Sequence, residues 1–448
     1  MALIYRNAST ALPAFSPATI PSYQSVLFSL MLRNVTSEGW VLRDPSGNTS
    51  LPGVIIASPS YQGDDPTTNQ NYVYNWTRDA AITALELAAA PPPYTALAAP
   101  GDYVSFAQSC QAACLASGVS ISRACYLVNG TPRDWSDQND GPALQTLAIL
   151  TLWPDLSPPA QAMGRELVQA NVNYLLGCYE AATTNLWEEA FGQSFFAQSV
   201  ILRCFTQALA QNSPYALGLN PSLLNAAILA LNDPTSGVSA SFWNSGNARY
   251  VSMINCSMPY AGSDLNVDVV MASVYGAIPC TDPKLLSSAA QILEFFQSAY
   301  PINAMDQSSP EVGPMIGRYP GDSYDGDTAD PNSGQDHPWA PCTANFAELY
   351  YALANSIKSG PGPNVSIDPL AAGFFAQVGI TAATDVGTAV SLLQNAGDKM
   401  LLALIYHSDY LELSEQFDGT TGYEKSVRNL TWSYAAYLSA LRARAKLS

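Results

Sequence analysis

Asp282-Pro283-Lys284-Leu285-Leu286-Ser287-Ser288-Ala289-Ala290-Gln291-Ile292-Leu293-Glu294-Phe295-Phe296 puts Leu285, Leu286, Ala289, Ile292, Leu293 and Phe296 on one broad face, because residues three and four apart share a side of an α-helix. Asn220-Pro221 opens a similar segment, with the Asn as cap and Pro at the first helical position, ahead of Leu223, Leu224, Ala227, Ile228 and Leu231. Helical spacing recurs near residues 22–34, 79–90, 101–116, 141–153, 160–179, 192–211, 344–358, 387–406 and 431–446, about a dozen helices in all, with breaker-rich connectors between them. Alternation of period two is rare. The fold class is therefore all-α. The stretches Pro91-Pro92-Pro93 and Gly360-Pro361-Gly362-Pro363 are short enough to be loops, and residues 1–448 form one expected domain.

Charged residues are only 12% of the chain, about half the usual share, so much of the surface is polar but uncharged. With 18 Lys+Arg against 36 Asp+Glu, the formal net charge is −18, which repels phosphate backbones and anionic lipid alike. Nucleic acid and membrane are thus excluded as expected partners. No stretch approaches the length needed to span a bilayer, and the first twenty residues lack a signal-peptide pattern. Eight cysteines without a Cys-x-x-Cys fit disulfides better than zinc. Asn-x-Ser/Thr sequons begin at Asn7, Asn34, Asn48, Asn75, Asn129, Asn255, Asn364 and Asn429, a pattern that leans toward a secreted or periplasmic chain.

The chemistry-bearing residues fall just before or between the helices. Trp187-Glu188-Glu189 and Ser414-Glu415-Gln416 offer two carboxylates in aromatic, charge-poor surroundings, the tools of glycoside hydrolysis: one protonated to serve the leaving oxygen, one ionised to activate water or attack the sugar. Tyr72-Val73-Tyr74-Asn75-Trp76-Thr77-Arg78-Asp79 and Gly317-Arg318-Tyr319-Pro320-Gly321-Asp322 each join aromatic rings to an Arg and an Asp. Such a mixture stacks on the apolar faces of a sugar and bonds its hydroxyls; a helix cap and a structural ion pair are the plainer readings. Asp325-Gly326-Asp327-Thr328-Ala329-Asp330 lacks the spacing and terminal Glu of an EF-hand, so no metal is expected. With only His337 and His407 in the chain, and neither a nucleophile elbow nor a phosphate-cradling or dinucleotide-binding Gly loop, carboxylates are the best remaining tools and no cofactor is expected. Loops gathered at one end of a helical barrel would bring them together.

Taken in order, these segments resemble the fungal-type glucoamylases, glycoside hydrolases that release glucose from non-reducing ends of starch. The resemblance runs through Gly53-Val-Ile-Ile-Ala-Ser-Pro-Ser60, Tyr74-Asn-Trp-Thr-Arg-Asp79, Asp140-Gly-Pro-Ala-Leu144, Leu186-Trp-Glu-Glu189 with Ser194-Phe-Phe196, Gly317-Arg-Tyr-Pro320, Pro338-Trp339, Ser414-Glu-Gln416 and Leu430-Thr-Trp-Ser-Tyr-Ala-Ala436. It implies an (α/α)6 barrel of six inner and six outer helices, and inversion with Glu188 as general acid and Glu415 as general base. It further implies that Arg78, Asp79 and Arg318 hold the terminal glucose, that Glu189 contacts the next sugar, and that Tyr72, Trp76, Trp135, Leu186, Trp187 and Trp339 line the pocket. The implied partner is a malto-oligosaccharide or starch, met by a monomer. A relative on the same barrel preferring isomaltose, dextran or trehalose, or a non-catalytic sugar-binding protein, are the alternatives.

The chain departs from the family pattern in places. Asn185 stands where relatives have Asp, three residues before the acid, removing a negative charge that helps set the pH optimum. Tyr61 to Asn71 and Ser323 to His337 carry extra residues beside the expected pocket, and the spacing around Trp135 differs by about one residue. The chain stops soon after the last helix, so no separate starch-binding domain and poor binding to raw granules are expected. Cys342 resembles an unpaired position; Cys256 with Cys280, and Cys125 with Cys110 or Cys114, are candidate disulfides.

Overall fold

The computed structural model describes residues 16–61, 70–91, 94, 99–306, 312–327 and 336–448. Twelve of its helices build the framework: α1 (Gln24–Leu32), α2 (Thr77–Leu87), α3 (Pro100–Ser117), α4 (Asp140–Leu152), α5 (Pro158–Leu176), α6 (Phe195–Gln211), α7 (Pro221–Leu231), α8 (Asp268–Val274), α9 (Pro283–Ala299), α10 (Ala340–Lys358), α11 (Val386–His407) and α12 (Thr431–Ala445). The even-numbered helices touch in a closed ring, α2 to α4 to α6 to α8 to α10 to α12 and back to α2. The odd-numbered ones pack outside, α1 on α12, α3 on α5, α5 on α4, α7 on α6, α9 on α8 and α11 on α10. This is an (α/α)6 barrel.

Burial follows from that placement. All of α2 except Leu85 is buried, and α12 is buried from Thr431 to Leu441; Ala80, Ala81 and Ala84 let the α2 backbone sit close to its neighbours. The outer α9 buries only its apolar face, with Leu285, Ala289, Ile292 and Phe296 all at 1% exposure or less, each large side chain stabilising by about 1.5–3 kcal/mol. Asp282 caps it by accepting from the Lys284 and Leu285 amides, as Asn220 caps α7. Two-residue strands stitch the connecting loops: Asn75 faces Tyr126 and Trp76 faces Cys125, while Gln416 faces Lys425.

The expected disulfides are corrected: all eight cysteines are free. Cys114 sits 3.2 Å from the Tyr126 hydroxyl and Cys125 Sγ accepts from Arg133 at 3.2 Å, so each has a local partner other than sulfur, and burial pushes the Cys125 thiol up to about 12, leaving it inert. Two sequons are buried as well. Asn34 Nδ2 donates to the Asn429 carbonyl and Thr431 Oγ1 at 2.8 Å each, and Asn75 Nδ2 donates to the Ile55 carbonyl at 2.8 Å. Asn129, Asn255 and Asn364 are exposed. Among the described residues no helix is long and apolar enough to cross a membrane. Asn7, Pro92 and Pro93, most of the Tyr61 to Asn71 stretch, and Thr328 to Asp330 lie outside the described residues.

Candidate active site

The six inner helices all begin at one end of the barrel, and the site residues immediately precede or open them. Trp76 leads into α2 and Asp79 lies in its first turn; Gln138 precedes α4, Glu188 and Glu189 precede α6, Asn266 precedes α8, Trp339 caps α10 and Leu430 caps α12. Helix N-termini carry partial positive charge, which favours the carboxylates gathered there. They surround a cavity of about 1120 Å³ measured out to its open mouth. Tyr72, Trp76, Arg78, Asp79, Trp135, Leu186, Trp187, Glu188, Glu189, Arg318, Trp339 and Glu415 all line it, so the structure brings together every residue that the sequence put forward for the site.

Glu188 sits on the tight connection between the strands Thr183–Thr184 and Phe191–Ser194. Its φ of +65° is uncommon for a side-chain-bearing residue and marks stored strain. Asn185 holds that turn: its carbonyl accepts the Glu188 amide at 3.0 Å, and its Oδ1 accepts the Glu189 and Ala190 amides at 2.9 and 3.1 Å. The Asn185 Nδ2 is buried without a partner. Both Glu188 oxygens receive indole N–H groups, Oε1 from Trp76 at 2.9 Å and Oε2 from Trp135 at 2.7 Å, with Arg78 Nη2 3.7 Å away. Burial raises the Glu188 pKa against the pull of Arg78 and the two indoles, and the Asp140 charge adds to the rise.

Glu415 is 3% exposed. Its amide donates to the Val427 carbonyl and its carbonyl accepts from Ala340 at the start of α10, each at 3.0 Å. Oε2 accepts from the Ser426 hydroxyl and from Tyr324 at 3.3 Å. Burial pushes the carboxyl up to about 7, opposed by Ser426, Arg318, Tyr72 and Tyr324. Ser426 is itself constrained: φ is +62°, Asp327 Oδ1 takes its amide at 2.7 Å, and Gly326 lies so close that an added Cβ would fall 2.0 Å from its Oγ. Between the two glutamates runs one aromatic wall. Tyr72 packs on Trp76 at 5.2 Å, and its hydroxyl meets that of Tyr324 at 3.1 Å.

The two expected sugar-holding arginines are anchored by carboxylates. Arg78 faces Asp140 at 3.3 Å, Asp79 at 3.7 Å and Gln138 at 2.8 Å. Burial pushes Asp79 up to about 6 despite Arg78. Arg318 forms a fork on Asp322 at 2.6 and 2.7 Å and reaches Glu189 at 2.7 Å; Tyr319 and Tyr260 donate to the other Glu189 oxygen at 2.8 and 3.0 Å. Trp187 gives its N–H to Asn266 at 3.0 Å and lies between Trp339 and Trp432 at 5.6 and 6.1 Å. Arg133, Asn266, Tyr324, Ser426 and Trp432 were not singled out from sequence; only Trp432 fell inside a quoted motif. Asp325 and Asp327, from the calcium-like run, face Lys425 at 3.0 and 3.7 Å, and no metal-binding cluster exists among the described residues.

A helical barrel with two glutamates, indoles and arginines lining one cavity at its mouth fits a sugar-cleaving enzyme. Residues 29–442 match the profile of Glycosyl hydrolases family 15, and the chain belongs to that family. It is 28% identical to a Rhizopus oryzae glucoamylase, covering 96% of this chain and 73% of that one. It is 26% identical to a Saccharomycopsis fibuligera glucoamylase, covering 89% and 86%. A solved Saccharomycopsis fibuligera glucoamylase superposes with a TM-score of 0.78 at 24% identity, covering 96% of this chain and 95% of that one, a likeness of fold. An intracellular, sporulation-specific glucoamylase of Saccharomyces cerevisiae is 26% identical over 88% of this chain and 79% of its own.

Proposed function

We propose that this hydrolase is an inverting, exo-acting glucoamylase that releases β-D-glucose from non-reducing ends of α-1,4-linked glucans and, more slowly, of α-1,6 linkages. The observation that carries the reading is the presence of Glu188 and Glu415 on one cavity, joined by the Trp76, Tyr72 and Tyr324 wall. Glu188 gives its proton to the glycosidic oxygen as the C1–O bond breaks, its elevated pKa keeping that proton available. Glu415 takes a proton from a water that attacks C1 from the opposite face, so the anomeric configuration inverts. Inversion calls for carboxyls roughly 6.5–9.5 Å apart. Arg78, Asp79 and Arg318 bind hydroxyls of the terminal glucose, Glu189 meets the next sugar, and the indoles of Trp187 and Trp339 stack on ring faces. Exo action calls for a pocket that admits chain ends only.

The names of the relatives support the substrate class, and the exposed sequons at Asn129, Asn255 and Asn364 support secretion to an extracellular or periplasmic space. Glucose release from maltotriose, with the anomer followed early by NMR, tests the reading. β-Glucose appearing first is expected, and Glu188→Gln or Glu415→Gln should each lower kcat by several orders of magnitude with the fold intact. First-formed α-glucose, or near-normal rates in either variant, would overturn it.

A further inference from the structure

Three arginines line the cavity, Arg78, Arg133 and Arg318. The first and third are neutralised where they stand, by Asp79, Asp140 and Glu188 and by Asp322 and Glu189 respectively. Arg133 has no carboxylate partner among the described residues. Its guanidinium gives one hydrogen bond, from Nη1 to the Cys125 sulfur at 3.2 Å, a weak acceptor. The group is nonetheless fixed in place, 3.8 Å over the Tyr74 ring and 4.7 Å over the Trp135 ring. A cation with spare donors, locked by stacking and open to a ligand cavity, loses little freedom when something binds it.

Its position says what that something is. Trp135 donates to Glu188 Oε2 and is 40% exposed, so Arg133 lies beside the acid on the side toward solvent. A substrate portion at that point lies beyond the oxygen that Glu188 protonates. We infer that Arg133 is a specificity-determining residue for the leaving-group sugar, donating from its guanidinium to that sugar's hydroxyls. The inference rests on the glucoamylase reading. It assigns to the connection between Cys125 and Asp137 a substrate contact at Arg133, and it separates recognition of the leaving sugar from the paired arginines deeper in the pocket.

The test compares two substrates that differ only in what leaves. Maltose carries a sugar beyond the scissile bond; α-D-glucosyl fluoride does not. In Arg133→Met, kcat/KM for maltose should fall about tenfold or more, the effect of one lost hydrogen bond from a charged donor, while kcat/KM for the fluoride stays within about twofold. Equal losses on both would show that Arg133 acts only by propping Trp135 and Trp76 against the acid, and no loss on maltose would show that it touches no sugar; either overturns the inference. Arg133→Lys, which keeps the charge but not the planar fork, should lose an intermediate factor on maltose alone. If Arg133→Met does not fold, absence of that selective loss in Arg133→Lys overturns the inference by itself. Wild-type protein inactive on both substrates would instead sink the glucoamylase reading, an outcome visible before any variant is made.

Discussion

Replacing Ser426 with Ala removes one hydroxyl that touches the Glu415 carboxylate and changes none of the residues lining the cavity. That hydroxyl stabilises the ionised form, so its loss raises the pKa of the base. A hydrogen bond to a charged partner is worth about 1.5–3 kcal/mol, equivalent to about one to two pH units. Tyr324 and Tyr72 remain as donors and take up part of the loss, which points to the lower end, a rise of about one unit. As the proposed base, Glu415 acts only when ionised. Below its pKa the ionised fraction falls tenfold for each unit of rise, so kcat/KM on maltose at pH 5 should drop about tenfold, with the deficit shrinking as pH climbs past about 7, where burial places the wild-type Glu415. The assay is a set of initial rates from pH 4 to 9 for both proteins, with thermal melts as a control. A deficit of the same size at every pH, or no deficit at all, would refute the reasoning.

A Cβ on Gly326 would strike Ser426 Oγ at 2.0 Å, so Gly326→Ala should reproduce the same pH-dependent deficit and also cost about 1–3 kcal/mol of stability by overpacking; an unshifted profile would separate Gly326 from the base. Asn185→Asp places a negative charge in the turn that holds Glu188, which raises the acid's pKa. The basic limb of the pH–rate profile, where that proton is lost, should then move upward by a few tenths to about one unit, and a fixed limb would show Asn185 to be silent. Glu348 on α10 is half-buried, with desolvation pushing its carboxyl up to about 7; Oε1 accepts from Ser439 at 2.9 Å, and Oε2 is buried with no hydrogen-bond partner. Because the folded form binds more protons than the unfolded one between the ordinary carboxylate range and about 7, stability falls as pH rises through that window. Glu348→Gln should therefore resist urea better than wild type at pH 8, by up to about 3 kcal/mol, and gain little at pH 5. An equal gain at both values would contradict the sign.

The framework was readable because outer helices such as α9 bury one face and expose the other, giving a clear period, and because Asp282 and Asn220 announce their starts. The inner α8 escaped: five of its seven residues are apolar, and the run is too short to show a period. Glu188, Arg78 and Arg318 could be picked out because each stands in a compact run of unusual composition. Asn266 and Ser426 could not. Asn266 matters through Trp187, 79 positions away, and Ser426 through a hydroxyl whose value depends on which carboxylate folding sets beside it. The even cysteine count misled, since a tally of thiols carries no information on which of them meet.

The Asn34 and Asn75 amides that tie the first loops to the barrel bear on how the enzyme is produced. In a host that attaches oligosaccharides to nascent chains, both are acceptor sequences presented before the amide has found its carbonyl. A molecule modified there keeps one of the two Nδ2 hydrogens, so Asn34 can no longer bridge to both Asn429 and Thr431, and at Asn34 and Asn75 alike a bulky group would sit where the side chain is buried. Yield in such a host thus depends on a race between the transferase and chain closure, which a bacterial cytoplasm never runs.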